Sequence, residues 1–219
     1  MKPEEFHEAI SSSAAGSGVG LDPRQVALLA RHMRDLLVWN RTHNLTAITD
    51  PGEMARLHYA DSLAAAAHLP RGALVADIGT GAGFPGIPLA VARPDVRFLL
   101  VESVRKKAGF LGFARASLGL SNVRVANLRI EEVCREKGGG FDVVTARALA
   151  ELGPLWEMAA PLLVPGGFLL AFKGARSEEE IARLEETPPF PFDPPVKRLR
   201  YVLPGETGAR CLVFVRRPA

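Results

Sequence analysis

Residues 77–89 read DIGTGAGFPGIPL, and this stretch decides the fold. It begins at the end of an apolar run, 73–78, that has the composition of a buried parallel strand. Glycines at 79, 81 and 83 let the backbone turn sharply and let a ligand approach the main chain closely. A buried strand followed by a glycine turn and a helix opens an α/β sheet, whose ligands bind beyond the carboxyl ends of the strands.

The alternation of strand and helix continues along the chain. Apolar runs predict further parallel strands at 96–101, 123–126, 141–146 and 167–172, and helices are predicted at 86–93, 104–118, 129–137 and 151–163. Two last runs, 196–202 and 211–216, flank a turn and predict a closing β-hairpin after a Pro-rich connector, 188–195. The predicted fold is α/β, a doubly wound, Rossmann-like sheet with a helical N-terminal extension and a C-terminal β-hairpin.

Residues 1–70 are predicted to form the helical extension, packed on a main domain at 71–219. The Ser/Gly/Ala-rich stretch 11–20 predicts a loose linker behind a short helix. Asp22-Pro23 is typical of a helix start, and an apolar stripe predicts a helix to about Asn40. This stripe consists of Val26, Leu29, Met33, Leu36 and Leu37. A second helix is predicted at 53–69, after a loop.

Charge and cysteine content exclude several classes of protein. The 219 residues include 27 Lys/Arg and 24 Asp/Glu, a net charge of +3 that permits a nucleic-acid partner without requiring one. Residues 1–70 carry 6 Lys/Arg and 8 Asp/Glu, a net −2, which leaves +5 for the remainder. Cys134 and Cys211 have no metal-like spacing, so a disulfide framework and a zinc site are not expected. Without a long apolar run or a signal peptide, we expect a cytoplasmic protein with no membrane partner, and no obligate protein partner is evident.

The acid before the glycines bears on the choice of ligand. Read from Gly81, the sequence matches the G-x-G-x-x-G fingerprint of NAD-binding proteins, which is a weak signal alone. Asp77, at the strand end, would repel an anionic pyrophosphate. A carboxylate there suits the ammonium and sulfonium of S-adenosylmethionine, which we therefore favour over NAD and over a turn with no ligand.

Other candidate residues follow the next strands. Glu102 closes the second strand, where an acid can accept both ribose hydroxyls of either cofactor. Ile130 and Glu131 follow the third strand, where an adenine edge would be read. The motif TARA at 145–148 follows the fourth, where the substrate should approach the methyl group.

Four motifs together resemble one family. They are 77–89, NLTA at 44–47, HYADSL at 58–63 and TARA at 145–148, and the chain resembles the ribosomal small-subunit methyltransferase G family, also called glucose-inhibited division protein B, over about residues 39–174. Ala146 departs from the serine usual in the family. The resemblance implies that the sheet is of the class I methyltransferase type. It also implies transfer of a methyl group from S-adenosylmethionine to N7 of one guanine in 16S rRNA, in the loop near the decoding site.

The resemblance also implies which residues hold the cofactor. Gly79, Phe84, Ile130, Glu131 and Arg147 match the family's cofactor contacts, and Glu102 matches its ribose-binding position. With the acid and glycines of the turn, the candidate cofactor site consists of Asp77, Gly79, Gly81, Gly83, Phe84, Glu102, Ile130, Glu131 and Arg147.

Guanine N7 carries a lone pair and no proton, so its methylation needs no general base. We therefore assign no catalytic base and no metal, and expect Arg147 to orient the guanine as well as the cofactor. Candidate phosphate contacts are Arg105, Lys106, Lys107 and Lys173, for which a merely solvated face is the alternative.

Several alternatives stay open. Asn44, His58 and Asp61 either line the RNA side or are structural, and Trp39 either stacks a base or packs in the core. The partner is 16S rRNA or the small ribosomal subunit. Competing functions are an NAD-binding oxidoreductase, another rRNA or tRNA methyltransferase of this fold, and an RNA-binding module without a cofactor.

Overall fold

A seven-stranded sheet forms the centre of the computed structural model, which describes residues 3–16, 20–137, 139–174 and 176–219. Its strand order is β3-β2-β1-β4-β5-β7-β6. Strands β1 to β5 are parallel, while β7 runs antiparallel to both β5 and β6. The strands are β1 Leu74–Ile78, β2 Arg97–Val101, β3 Val123–Ala126, β4 Phe141–Arg147, β5 Leu163–Lys173, β6 Asp193–Val202 and β7 Ala209–Arg216.

The chain order reverses between β1 and β4. From β1 the chain builds outward through β2 and β3, and it then returns to place β4 on the other side of β1. Such a switch point leaves a crevice at the carboxyl ends of the two strands, which is where ligands of doubly wound sheets bind. The predicted fold class is confirmed, including the closing hairpin.

The helices cover both faces of the sheet. Those predicted between the strands are present, although the last predicted one ends in a 3-10 turn, Ala160–Leu162. The α-helices are α1 Pro3–Gly16, α2 Pro23–His43, α3 Pro51–Met54, α4 Asp61–Leu63, α5 Gly86–Ala92, α6 Arg105–Leu118, α7 Ile130–Lys137, α8 Leu152–Ala159 and α9 Ser177–Glu186.

Helix α2 begins as predicted, with a reciprocal cap. Asp22 Oδ1 accepts from the Gln25 amide at 2.8 Å, and Gln25 Oε1 accepts from the Asp22 amide at 2.9 Å. The helix ends three residues later than predicted, at His43, because Asn44 adopts a left-handed conformation with φ of 49° and closes it. Of the predicted stripe, all but Leu37 are buried.

The prediction of a loose linker at 11–20 is wrong over residues 11–16, which belong to α1. Phe6, Ile10 and Ala14 recur at intervals of four and are buried in the core, so packing stabilises a helix in a stretch of poor helix propensity. Residues 17–19 of the predicted linker lie outside the described residues.

The second helix predicted in the extension is divided into short pieces. A π-helical turn, Ala55–Ala60, separates α3 from α4, and a 3-10 turn, Ala66–His68, follows. Turns of the π type often mark functional sites. This one carries His58 toward the crevice between β1 and β4.

The extension and the sheet share one hydrophobic core. Phe6 and Met33 belong to the same buried cluster as Val75 and Leu100. A second cluster, around Trp156, lies on the other face of the sheet. The boundary at residue 70 between the helical extension and the main domain stays a prediction from the sequence. Among the described residues, no helix is both long and apolar enough to cross a bilayer.

Candidate active site

A cleft of about 700 Å³ opens at the carboxyl ends of β1, β4 and β5, where the crevice was expected. The N-terminal extension supplies its second wall. Residues used below that line it are Thr46, His58, Asp61, Gly79, Gly81, Phe84, Arg147, Leu149, Lys173, Glu180, Tyr201 and Arg210.

The glycine turn exposes its main chain to this cleft. Gly79, Gly81 and Gly83 have φ of 65°, 61° and 96°, values that L side chains rarely adopt. At Gly79 a side chain would also collide with Leu149, since an added Cβ would lie 2.7 Å from Leu149 Cδ1. The positive φ therefore requires glycine here, and the Leu149 side chain occupies the space above it.

Asp77 holds this turn from beneath and does not line the cleft. Its Oδ1 accepts from the Thr145 hydroxyl at 2.8 Å, and its Oδ2 accepts from the Gly86 amide at 2.9 Å. The carboxyl group is fully buried, and burial raises its pKa to about 6. In this arrangement Asp77 ties β1 to β4 and to the start of α5, rather than presenting a free carboxylate to a cation.

Glu102 lies on the other side of the same turn. Its Oε2 accepts from the Gly81 amide at 3.0 Å and its Oε1 from the Val104 amide at 2.8 Å. The two oxygens retain lone pairs, so ribose hydroxyls can donate to them beside the turn. Ile130 and Glu131 begin α7, after β3, at this edge of the sheet.

The predicted cofactor residues thus fall into two groups. Four line the cleft, and five lie beneath the turn or beside it at the β2 and β3 ends. The first group is Gly79, Gly81, Phe84 and Arg147, and the second is Asp77, Gly83, Glu102, Ile130 and Glu131.

Arg147, the last residue of β4, is held by the N-terminal extension. Its Nη1 donates to the Leu57 carbonyl at 2.8 Å and to Asp61 Oδ2 at 3.1 Å. Its Nη2 lies 3.1 Å from His58 Nδ1, and its guanidinium lies over the Phe84 ring at 5.4 Å. The side chain is therefore fixed in one orientation at the cleft floor.

Asp61 connects three parts of the chain. Besides Arg147 of β4, it accepts from the Tyr201 hydroxyl at 2.6 Å and pairs with Arg210 at 3.5 Å, both on the hairpin. Its side chain is only 2% exposed. Sequence reasoning missed Tyr201 and Arg210, since they lie beyond the stretch that resembles a known family and carry no spacing signal.

His58 is neutral at physiological pH. Its ring stacks on Phe84 at 4.6 Å between centroids, and its Nε2 lies 2.9 Å from Thr46 Oγ1. Burial, with the nearby positive charge of Arg147, lowers the pKa of His58 to about 4. Both ring nitrogens are engaged, so His58 belongs to the wall of the cleft and is not a free base.

The candidate phosphate contacts differ in availability. Arg105 and Lys106 are exposed on the first turn of α6, and Lys107 is half-buried. Lys173 lines the cleft, but its Nζ lies 2.6 Å from Glu180 Oε2 and donates to the Ala150 carbonyl at 2.7 Å. Its prediction as a phosphate contact is therefore corrected, because a phosphate would have to displace the Glu180 carboxylate from the ammonium group.

The surroundings of Trp39 bear on one further alternative from the sequence. Trp39 packs against Phe110 and Phe113, at 5.7 and 5.3 Å between centroids, which favours the core alternative over base stacking. Within the described part of the chain, no group of His, Cys, Asp and Glu is arranged to hold a metal ion.

Comparison with known proteins shows which family the chain resembles in sequence. Residues 25–191 match the family model described as GidB, rRNA small subunit methyltransferase G. The ribosomal RNA small subunit methyltransferase G of Sorangium cellulosum is 45% identical over 184 residues, 82% of this chain and 75% of that protein. Its counterpart from Nitrosospira multiformis is 40% identical over 215 residues, 95% of this chain and 96% of that protein.

Known structures agree on the fold. The crystal structure of P. horikoshii TYW2 in complex with MeSAdo superposes with a TM-score of 0.55 at 15% identity, over 74% of this chain and 63% of that one. Precorrin-6y C5,15-methyltransferase from Geobacter metallireducens gives 0.51 at 13% identity, over 73% and 87%. From the matched family model and the near-full-length relatives together, the chain belongs to the rRNA small subunit methyltransferase G family.

Proposed function

We propose that this chain transfers a methyl group from S-adenosylmethionine to N7 of one guanine in 16S rRNA. The observation that carries the proposal is the cleft at the switch point. There the open glycine turn of 77–89 faces the motifs of 44–47, 58–63 and 145–148, all lining one space. These are the motifs on which the family resemblance rests, and the structure brings them together from distant parts of the chain.

The site fits the cofactor on two counts. The main chain at Gly81 is open to a ligand, since an added Cβ there would have no neighbour nearer than the Gly79 carbonyl oxygen at 4.0 Å, and the Glu102 carboxylate lies beside the turn for ribose hydroxyls. S-adenosylmethionine supplies, when bound, an electrophilic methyl group on a sulfonium. We assign the turn residues Gly79 and Gly81 to its amino-acid end, and Glu102, with Ile130 and Glu131, to its nucleoside end.

The chemistry that these residues support is alignment rather than proton transfer. N7 of guanine attacks with a lone pair, so no proton has to be removed before the methyl group is transferred. His58 fits this scheme because it is neutral and hydrogen-bonded at both nitrogens. Arg147 is fixed by three acceptors and orients the base against the Phe84 side of the cleft.

The substrate is rRNA, and we propose 16S rRNA within the small ribosomal subunit. Arg105 and Lys106, exposed at the start of α6, are the phosphate contacts that the structure leaves available. Residues 71–219 carry a net charge of +5, whereas the N-terminal extension is acidic. This difference favours binding of the RNA by the main domain rather than by the extension.

The test is transfer of labelled methyl from S-adenosylmethionine. Small subunits that lack the modification, free 16S rRNA and large subunits are offered in parallel. We expect label in the 16S rRNA of small subunits and none in large subunits. Label confined to large subunits would contradict the proposal, as would calorimetric binding of NADH without binding of S-adenosylhomocysteine.

A further inference from the structure

The hydrogen-bond chain that runs from Arg147 through His58 to Thr46 has a fixed direction. An arginine has donors and no acceptor, so His58 Nδ1, 3.1 Å from Arg147 Nη2, must accept. A neutral imidazole with a lone pair on Nδ1 carries its proton on Nε2. The His58 Nε2–H therefore donates to Thr46 Oγ1, 2.9 Å away.

Thr46 Oγ1 receives a second hydrogen bond. The backbone amide of Ile48 donates to it at 3.1 Å. A hydroxyl oxygen has two lone pairs, and both are now occupied. The hydroxyl hydrogen has to point elsewhere, and within the described chain no acceptor lies at hydrogen-bond distance for it. Because Thr46 lines the cleft, this donor is available to a ligand there.

The edge of guanine that is methylated presents two acceptors, N7 and O6. N7 has to keep its lone pair free for the methyl group, so O6 is the atom left for a donor from the enzyme. Adenine places an amino group, itself a donor, where guanine has O6. A hydroxyl held as a donor beside this position accepts guanine and opposes adenine, because two donors would face each other.

We propose that Thr46 is a specificity-determining residue whose hydroxyl donates to O6 of the target guanine. The inference rests on the proposed function, since it assigns one atom of the cleft to one atom of that substrate. Arg147 and His58 act through Thr46 here, as the groups that fix which way its hydroxyl points.

The experiment uses small subunits reconstituted with 16S rRNA that carries either guanine or 2-aminopurine, which lacks O6, at the methylated position. The wild-type chain is compared with Thr46→Val, which keeps the shape, and Thr46→Ser, which keeps the hydroxyl. We expect the wild type to lose about 10- to 100-fold in kcat/KM on 2-aminopurine. We expect Thr46→Val to lose a similar factor on guanine and little more on 2-aminopurine, and Thr46→Ser to stay close to wild type.

The double comparison separates recognition from structural damage. A loss of packing in Thr46→Val lowers kcat/KM by the same factor on guanine and on 2-aminopurine. A change in N7 reactivity likewise affects the wild type and the variant equally. Both effects therefore cancel when the four values are compared, whereas loss of the O6 contact does not. The inference is overturned if the two losses multiply, if the wild type methylates both bases equally well, or if Thr46→Val weakens S-adenosylhomocysteine instead. The comparison of the two bases uses the wild type alone, so it does not depend on whether Thr46→Val folds. Failure of the wild type on guanine subunits would instead refute the proposed function.

Discussion

Single residues in the cleft are held by partners from distant parts of the sequence. Arg147 and Asp61 were both visible as motif residues, but their ion pair was not, because 86 positions separate them. Sequence patterns relate residues that are a few positions apart in a helix or a strand, so they could not predict this pair. The same limit applies to Tyr201, which reaches Asp61 from the hairpin.

We predict that Asp61→Asn lowers the free energy of unfolding by about 3 kcal/mol, because it removes a buried negative charge that Arg147, Tyr201 and Arg210 share. Urea unfolding measures the loss. Asp95→Asn is the matched control, since its pair with Arg93 is partly exposed and should cost no more than about 1 kcal/mol. Equal losses in the two variants would contradict the role of Asp61.

We also predict that Glu102→Ala weakens S-adenosylhomocysteine about 10-fold or more and leaves rRNA affinity within about twofold. The reason is the loss of a charged acceptor for ribose, worth at least about 1.5 kcal/mol. Calorimetry and filter binding on the same preparation give the two numbers. Parallel loss of both affinities would show that Glu102 supports the fold and not the cofactor.

At the scale of elements, the sequence predicted those helices and strands whose apolar pattern is regular and whose ends carry clear signals. Strands β1 and β2 and the Asp22 cap were predictable because apolar runs and capping residues act locally. Helix α9 was missed although Ile181 and Leu184 follow three glutamates at its start. The π-helical turn at 55–60 was not predictable, since its period is imposed by packing and not by composition.

The junction of the glycine turn with α5 provides a test at this scale. A Cβ at Gly86 would lie 2.2 Å from Leu100 Cδ2 and 2.7 Å from Asp77 Oδ2. Gly86→Ala should therefore lower the free energy of unfolding by about 1–3 kcal/mol. Gly109→Ala in α6 is the control, because nothing lies within 4 Å and alanine should stabilise that helix by up to about 1 kcal/mol. Destabilisation by both, or by neither, would contradict this packing.

At the scale of the whole molecule, His32, His58 and Asp77 make stability depend on pH between about pH 4 and 6. Burial lowers the pKa of His32 from 6.5 to about 3 and is the main cause of the lowered pKa of His58, about 4. Burial raises the pKa of Asp77 from 3.8 to about 6. Between about pH 4 and 6 the unfolded chain thus binds two protons on the histidines, while the folded chain binds one on Asp77.

The net difference is one proton more on the unfolded chain, so we predict that the free energy of unfolding rises by about 1.4 kcal/mol per pH unit over this range. Urea unfolding at several pH values measures the slope. Asp77→Asn removes the opposing group, so its slope should be about twice that of the wild type. A wild-type free energy that is flat or falls from pH 4 to 6 would refute the assignment.

The central claim concerns one atom of one base, and product mapping tests it most directly. Small subunits lacking the modification are methylated with labelled S-adenosylmethionine, and the 16S rRNA is then cleaved chemically at 7-methylguanine. We predict one cleavage site and about one methyl group per subunit, since the cleft presents a single guanine edge to the methyl group. Labelled rRNA that resists this cleavage, with the methyl group on an exocyclic amine or a ribose, would contradict the account.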